Sequence, residues 1–473
     1  MNILLVGSGP ASYICLKTLL EISSLNIVLI DNSNYQPEQK DKECIYQSNF
    51  INKSRLIDNK IFEINNPQLD KLLTKSFGGL STVWGSAVHD LLDYEKEIYK
   101  KLNIDIEKYF NELDDKLLFL TNQKNKLKNT ISFPESTESD LLLKKLNNNS
   151  KINARHSKFL INFKNSRDFS LCKFCGSFKL MCSTGSLWSS KEEIYEHILN
   201  KDIEYLPNHK LIQFTEKGEN VQCEILHNNK MKKLSFDYLF IGAGAFSTSE
   251  IFLNSNLVSN VEINHSDLHT IPFIKKTNNN KSPMSHPVVF ISGEAEKKLF
   301  FSQLYFYSDS LLKIYLDNPY IYKIIKKFPN FIKNYFGGMR LFVDPSVSSK
   351  IVLNKINGVI NKKIVEYDFE SQKKVKKKFL KNLNRRGIIN LSFFSNNVRN
   401  GESYHFGSQF KPNNKTIETS SDNLGRVGNL KKTFVIDSSV LPVVNTGPIT
   451  YTVMANSLRI TKEFIKKFIL FRN

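Results

Sequence analysis

MNILLVGSGPASYICLKTLLEISSLNIVLID, residues 1–31, reads as a strand, a glycine turn, a helix and a second strand. Residues 2–6 are an apolar run, and Gly7, Ser8, Gly9, Pro10, Ala11 and Ser12 follow in the order of a dinucleotide fingerprint with Ser12 at the third glycine position. Gly7 permits the tight turn, and Gly9 removes the Cβ that would strike a pyrophosphate. The helix starting near Pro10 offers free N–H groups and a positive dipole end. Ser12 is small enough for the helix to pack closely on the strand. The second strand, Asn26 to Ile30, ends in Asp31, whose carboxylate is placed to accept both ribose hydroxyls of an adenosine. Strand, helix and acid agree on a dinucleotide site, against the alternative that the glycines make only a tight βα turn. At this point FAD and NAD are equally compatible.

The chain has 473 residues, too many for one simple core, so two domains are expected. Hydrophobic content of 41% is ordinary for a globular protein. The opening strand begins at residue 2, and no apolar run approaches the length that spans a bilayer, which together imply a cytoplasmic location. Net charge is +20, from 66 Lys and Arg against 46 Asp and Glu. That balance suits nucleic acid, an anionic membrane surface or an anionic substrate. No nucleic-acid motif is present, and the abundance of Lys, Asn, Ile and Phe reads equally as a compositional bias. Six cysteines in a reducing compartment argue against a disulfide framework.

Further along, KSFGGLSTVWGSAV at 75–88 describes a loop in which backbone approaches something large and flat, since Gly78, Gly79 and Gly85 remove side chains there. Residues 90–150 read as helical and polar. Lys210 to Phe214 and Val221 to Leu226 alternate as strands. Lys233 to Ile241 leads into GAGAFSTSEIFLNS at 242–255, a second glycine turn followed by a helix. Between about 263 and 400 the pattern changes to strands rich in Phe and Val and to helices with many lysines, of which 372–386 reads as a solvated face. YHFGSQF at 404–410, KTFVIDSSVL at 432–441 and a final helix from about 449 to 470 return to the first pattern.

In this order and spacing, GSGPAS at 7–12, the acid at 31, GGLSTVWG at 78–85, GAGAFSTSEIFLNS at 242–255, YHFGS at 404–408 and VIDSSVLP at 435–442 resemble the glucose-methanol-choline (GMC) family of FAD-dependent oxidoreductases. The resemblance selects FAD over NAD. It implies an α/β fold: a discontinuous Rossmann-like FAD-binding domain over 1–100, 170–262 and 402–473, with a second, substrate domain containing an antiparallel sheet over 101–169 and 263–401. It also implies that Gly7, Gly9, Ser12 and Asp31 contact adenosine and pyrophosphate, that Gly79 and Ser81 lie on the flavin side, and that Leu211 lies near the adenine. Gly244, Asp437 and Ser438 would return to the cofactor. Some relatives attach FAD covalently through a histidine in the flavin-side loop. Here that loop reads Ser81-Thr82-Val83-Trp84, so FAD is expected to be bound non-covalently.

His405 matches the family's active-site histidine, and imidazole is the side chain best poised to take an alcohol proton near neutral pH while hydride leaves to the flavin. The expected reaction is oxidation of an alcohol, most plausibly a sugar hydroxyl, in polysaccharide or lipid-linked saccharide metabolism. The electron acceptor is left open among oxygen, quinone and protein. A second active-site residue, a histidine or asparagine in the family, is replaced by Gly447. Asn445 is then the nearest stand-in, and a catalytically silent flavoprotein or scaffold is the alternative function.

Cys172, Cys175 and Cys182 follow C-x2-C-G-x5-C, where some relatives carry a fourth cysteine at the place of Phe178. Three thiolates are enough to hold an iron–sulfur cluster or, with one more ligand, zinc, whereas the lost cysteine favours ordinary thiols. Finally, residues 308–336 repeat large apolar side chains at helical spacing among lysines, the pattern of a helix lying peripherally on an anionic membrane; the alternative is a helix pair covering the substrate domain.

Overall fold

The computed structural model describes residues 1–35, 76–121 apart from 83, 137–147, 152–160, 187–275, 288–307, 323–365 apart from 325, 326, 330, 331, 333 and 334, 368–394, 403–413 and 419–470. The fold is mixed α/β. Its first layer is a five-stranded parallel sheet in the order Thr433–Val435, Tyr238–Ile241, Asn2–Val6, Asn26–Asp31, Glu204–Pro207. Its inner strands are continuous apolar runs because helices cover the sheet. The opening reading holds closely: the strand Asn2–Val6 is followed by the helix Pro10–Leu19 and the strand Asn26–Asp31. Beside the helix lies the last one, Thr450–Phe464, whose Ser457 Oγ donates to the Ala11 carbonyl at 2.7 Å.

Four antiparallel sheets complete the described chain, the smallest being the pair Ala87–Val88 and Lys158–Phe159. His209–Lys217, Asn220–His227 and Lys230–Phe236 form a three-stranded meander. A six-stranded sheet runs Ile388–Asn390, Leu268–Lys275, Phe336–Val343, Lys298–Phe306, Val289–Ala295, Ile152–His156. The lysine-rich helix Phe369–Asn384 covers that sheet with its apolar face, Phe379 meeting Phe300 with ring centroids 4.8 Å apart. A four-stranded sheet joins Val359–Val365, Lys350–Ile356, Asn260–His265 and Phe406–Gly407.

Two segments pack onto the layer of the parallel sheet. The helix Ile106–Thr121, grouped by sequence with the substrate domain, lies on the final helix: Phe110 stacks on Tyr451 at 5.2 Å and Glu112 pairs with Lys462. Ile351 and Leu353 of the four-stranded sheet share the core of the parallel sheet rather than that of the six-stranded one. The buried Lys362 to Glu250 ion pair, 2.7 Å, ties this sheet to the helix Ala245–Asn254. Both assignments depend on long-range apolar matching, to which local patterning is blind.

Among the described residues no helix is long and apolar enough to cross a membrane. Most of 308–336 lies outside the described residues; within it Lys323, Ile324 and Lys327 are exposed.

In the six-stranded sheet, Gly337 stands opposite Phe273, whose ring lies across the glycine, and a Cβ there would also come within 2.6 Å of the Tyr305 carbonyl. Gly337→Ala is therefore expected to destabilise the protein by about 1–3 kcal/mol through overpacking, measurable by denaturant unfolding.

Candidate functional site

The two βα turns meet at the ends of neighbouring parallel strands. Gly7 has φ +94°, and a Cβ on it would lie 2.6 Å from the Gly242 carbonyl oxygen. A Cβ on Gly242 would in turn run into the Ser12 hydroxyl. The serine at the third fingerprint position is thus accommodated by a glycine in the other turn. Gly9 differs from both, because a Cβ there would meet nothing within 4 Å. Its vacancy is not required by the protein's own packing. The same holds for Gly244, at φ +83°.

Asp31 is held from two sides. Ser8 Oγ donates to Oδ2 at 2.6 Å and the Ser33 N–H to Oδ1 at 2.8 Å. Burial raises its pKa and these donors pull it back. Ser8 Oγ also accepts the Gly78 N–H at 2.8 Å, so the opening turn and the loop at 78–82 share one hydroxyl. Ser190, first residue of the helix Ser190–Leu199, donates to the Ser8 carbonyl at 2.8 Å and to that of Gly78 at 3.1 Å. Ser81 Oγ donates to the Gly78 carbonyl at 2.6 Å and accepts the Ser190 N–H at 3.1 Å. Ser81 is accordingly fixed inside the protein, while Gly79, at φ +57°, approaches the Gly9 backbone. Ser8 and Ser190 carry no recognisable sequence signal, because their partners are far along the chain.

Leu211 is buried in the core of the parallel sheet, at a bulge in the meander. Asp437 closes the second turn: Oδ2 accepts the Gly244 N–H at 2.7 Å and the Thr248 hydroxyl at 2.6 Å, and Oδ1 accepts the Ser439 N–H at 2.9 Å. The Ser438 carbonyl accepts the Ser408 N–H at 2.9 Å, which docks the YHFGS segment onto this turn. Gln409 locks the same junction through the Ala245 carbonyl and Ser439 Oγ, both at 2.8 Å.

His405 precedes the short strand Phe406–Gly407 and stacks on Phe342 of the six-stranded sheet, centroids 4.8 Å apart and planes 18° apart. Burial pushes its pKa down to about 3, with the Arg340 and His265 charges adding to the effect. It is neutral at physiological pH and its buried Nδ1 has no hydrogen-bond partner. His265 lies across from Phe406 in the four-stranded sheet, fully buried, its Nε2 3.0 Å from Ser349 Oγ, which donates to Asp267 at 2.8 Å. The next residue, Ser266, donates to the Asn445 carbonyl at 3.0 Å. Asn445 is buried; its Nδ2 donates to Thr452 Oγ1 at 2.7 Å and its Oδ1 has no partner. At Gly447 the space a side chain would need is taken by Phe301, whose ring lies 3.0 Å from a Cβ built there.

The structure thus brings Gly7, Gly9, Ser12, Asp31, Gly79, Ser81, Gly244, Asp437 and Ser438 to one edge of the parallel sheet, with the His405 segment docked beside them. The residues fit a dinucleotide such as FAD. Open space stands beside Gly9 at the uncapped N-terminus of the helix Pro10–Leu19. His405 Nδ1, Ser408 Oγ and Asn445 Oδ1 are buried polar atoms without protein partners on the neighbouring segments. Cys172, Cys175 and Cys182 lie outside the described residues. Among the described residues there is no group of three or more side chains suited to a metal ion.

No protein-family model matches the chain, and no curated protein sequence matches it. Among solved structures it is similar to pyridoxine 4-oxidase from Mesorbium loti, with a TM-score of 0.60 at 11% sequence identity, over 98% of this chain and 99% of that one. At that identity the likeness carries the fold over almost the full length of both chains.

Because a Cβ on Gly9 would meet no protein atom within 4 Å, while the glycine fingerprint implies a pyrophosphate there, Gly9→Leu is expected to fold like the flavin-free parent and to lose the flavin. Thermal melting and visible absorbance of the purified protein check the two halves; undiminished absorbance would move the cofactor away from the opening turn.

Proposed function

We propose that this chain is a flavin-dependent alcohol oxidoreductase of the GMC type. The observation that carries the reading is His405, a neutral imidazole with an unpartnered buried nitrogen, docked by its own segment onto the glycine turns that fit the dinucleotide. The fold shared with pyridoxine 4-oxidase, an oxidase by name, supports the same reaction class.

When bound, FAD supplies the acceptor for the hydride that leaves the alcohol carbon, so that the alcohol becomes a carbonyl compound. The chain supplies the remainder. Gly7, Gly9 and the helix N-terminus hold the pyrophosphate, Asp31 the ribose, and His405 takes the hydroxyl proton. A neutral imidazole is already in the form that accepts this proton. Phe342 keeps the ring in one plane, which limits the geometries from which it can act.

The substrate proposed from sequence is a sugar hydroxyl. Phe342, which stacks on His405, belongs to one apolar cluster with Phe301, Phe290 and Leu268. An aromatic ring against the imidazole also favours an alcohol carried on a flat, weakly polar framework, including an aromatic one. Peripheral contact of 308–336 with an anionic membrane is a separate proposal, supported by the exposed Ile324 between the exposed Lys323 and Lys327.

Anaerobic mixing with glucose, benzyl alcohol and pyridoxine is expected to bleach the flavin with at least one of them. His405→Ala should keep the flavin and slow its reduction on the order of a hundredfold or more. An unchanged rate would take the proton acceptor away from His405, and no reduction by any alcohol would favour the silent flavoprotein.

A further inference from the structure

Glu95 is buried, yet it sits in the first turn of a peripheral helix, Asp93–Lys101, where a capping carboxylate is ordinarily solvated. Its Oε2 accepts the Leu92 N–H at 2.9 Å, which caps the helix. Its Oε1 accepts the Thr446 N–H at 2.7 Å, from a segment 351 residues further along the chain. The second bond is not needed for a cap. Thr446 lies between Asn445, tied to Ser266 and Thr452, and Gly447, packed under Phe301. Glu95 therefore supplies one of the three fastenings on the segment that stands where the family's second active-site residue would be.

We propose that Glu95 is a positioning residue for Asn445–Gly447 and that this fastening is proton-sensitive, so that the segment is clamped when the carboxylate is ionised and loosened when it is protonated. The inference rests on the reading of 405 and 445–447 as the active site. An ionised carboxylate accepts from both N–H groups; a protonated one carries a hydrogen on one oxygen and loses an acceptor there. No cation is bonded to Glu95 among the described residues. The groups that face it are Asp344, whose negative charge opposes ionisation, Tyr99 one turn along its own helix, the Leu92 and Thr446 amides, and the Thr446 hydroxyl, which favours ionisation as the amides do. Arg459 of the final helix acts on Tyr99. Burial is the dominant influence and places the Glu95 pKa at about 7, the amides pulling it down.

The sign of the linkage separates this device from acid unfolding. A carboxyl whose folded pKa exceeds its unfolded value gains a proton on folding, so protonating Glu95 between pH 7 and about 4.5 favours the folded state. Loosening of Thr446 should appear while global stability attributable to Glu95 rises.

The test is hydrogen exchange of the Thr446 amide in the full-length flavin-loaded protein, expressed as protection relative to an unstructured peptide at each pH. Protection is expected to fall about tenfold between pH 8 and pH 6, and Glu95→Gln should be low at both. Flavin reduction by benzyl alcohol should follow the same acid limb in the parent and lose it in Glu95→Gln. A role confined to helix capping would change exchange only in residues 92–101; that result, or equal Thr446 protection at both pH values in the parent, overturns the proposal. Should Glu95→Gln not fold, the exchange of the parent across pH still decides. Should no alcohol reduce the flavin, the proposed reaction fails while the exchange result stands on its own.

Discussion

The contact between the two glycine turns constrains everything placed around it. Asn2–Val6 and Tyr238–Ile241 are parallel neighbours, and the chain leaves both at the same sheet edge. The Gly242 N–H donates to the Val6 carbonyl at 2.9 Å, and neither Gly7 nor Gly242 has room for a side chain. Two helices, Pro10–Leu19 and Ala245–Asn254, consequently start side by side. The N–H of Gly244, at the start of the second helix, is already taken by Asp437. The first helix has no side-chain cap. A helix terminus left with free N–H groups needs an acceptor, and an anionic ligand is one. The second helix likewise has no side-chain cap, and Asp437 fastens its turn to the late segment through the Gly244 N–H.

Such local units were legible in the sequence because strand, turn and helix each imprint a short period or a glycine. The first 31 residues could be read almost to the residue, and the second turn at Gly242 likewise. Ser8, Ser190, Gln409 and Glu95 were not legible. Each acts through a partner distant in sequence, and a serine or glutamate in a polar context looks like any solvated residue. Gly78 and Ser190 meet across 112 residues, a distance over which no pattern rule operates. The helix Ile106–Thr121 illustrates the same limit at larger scale: its amphipathic face announces that it packs, but not that its partner is the last helix of the chain.

Charge around the site is controlled by burial more than by pairing. His89, His265, His269 and His405 all have depressed pKa values with burial as the leading cause. Asp31, Glu95 and Asp437 are pushed the other way by the same cause and are restrained by amide and hydroxyl donors. Neutral imidazoles and hydrogen-bonded carboxylates are the two forms in which ionisable groups are cheaply kept in a dry interior. A base held neutral in this way needs no deprotonation step before it acts. In the proposed reaction its own protonation is correspondingly costly, which makes the placement of nearby dipoles matter more than it would at a solvated histidine.

The departure at Gly447 acquires a physical reason from Phe301. This ring comes from the six-stranded sheet, lies at the glycine, and is itself boxed by His89 at 4.4 Å and Phe290 at 5.2 Å between centroids. A histidine or asparagine at 447 would have to displace a fully buried aromatic, so glycine at one position and phenylalanine at the other form a matched pair. The polar group absent from 447 is not replaced by a side chain at the same point. What remains nearby is Asn445, whose amide nitrogen is committed to Thr452 and whose Oδ1 is buried without a partner. An unpartnered buried carbonyl is unfavourable by about 1–3 kcal/mol, and the cost is relieved when a donor arrives. Asn445 is thus an acceptor awaiting a donor, on a segment fastened by Ser266, Thr452 and Glu95, while His405 on the adjacent segment keeps a neutral imidazole with an unpartnered Nδ1.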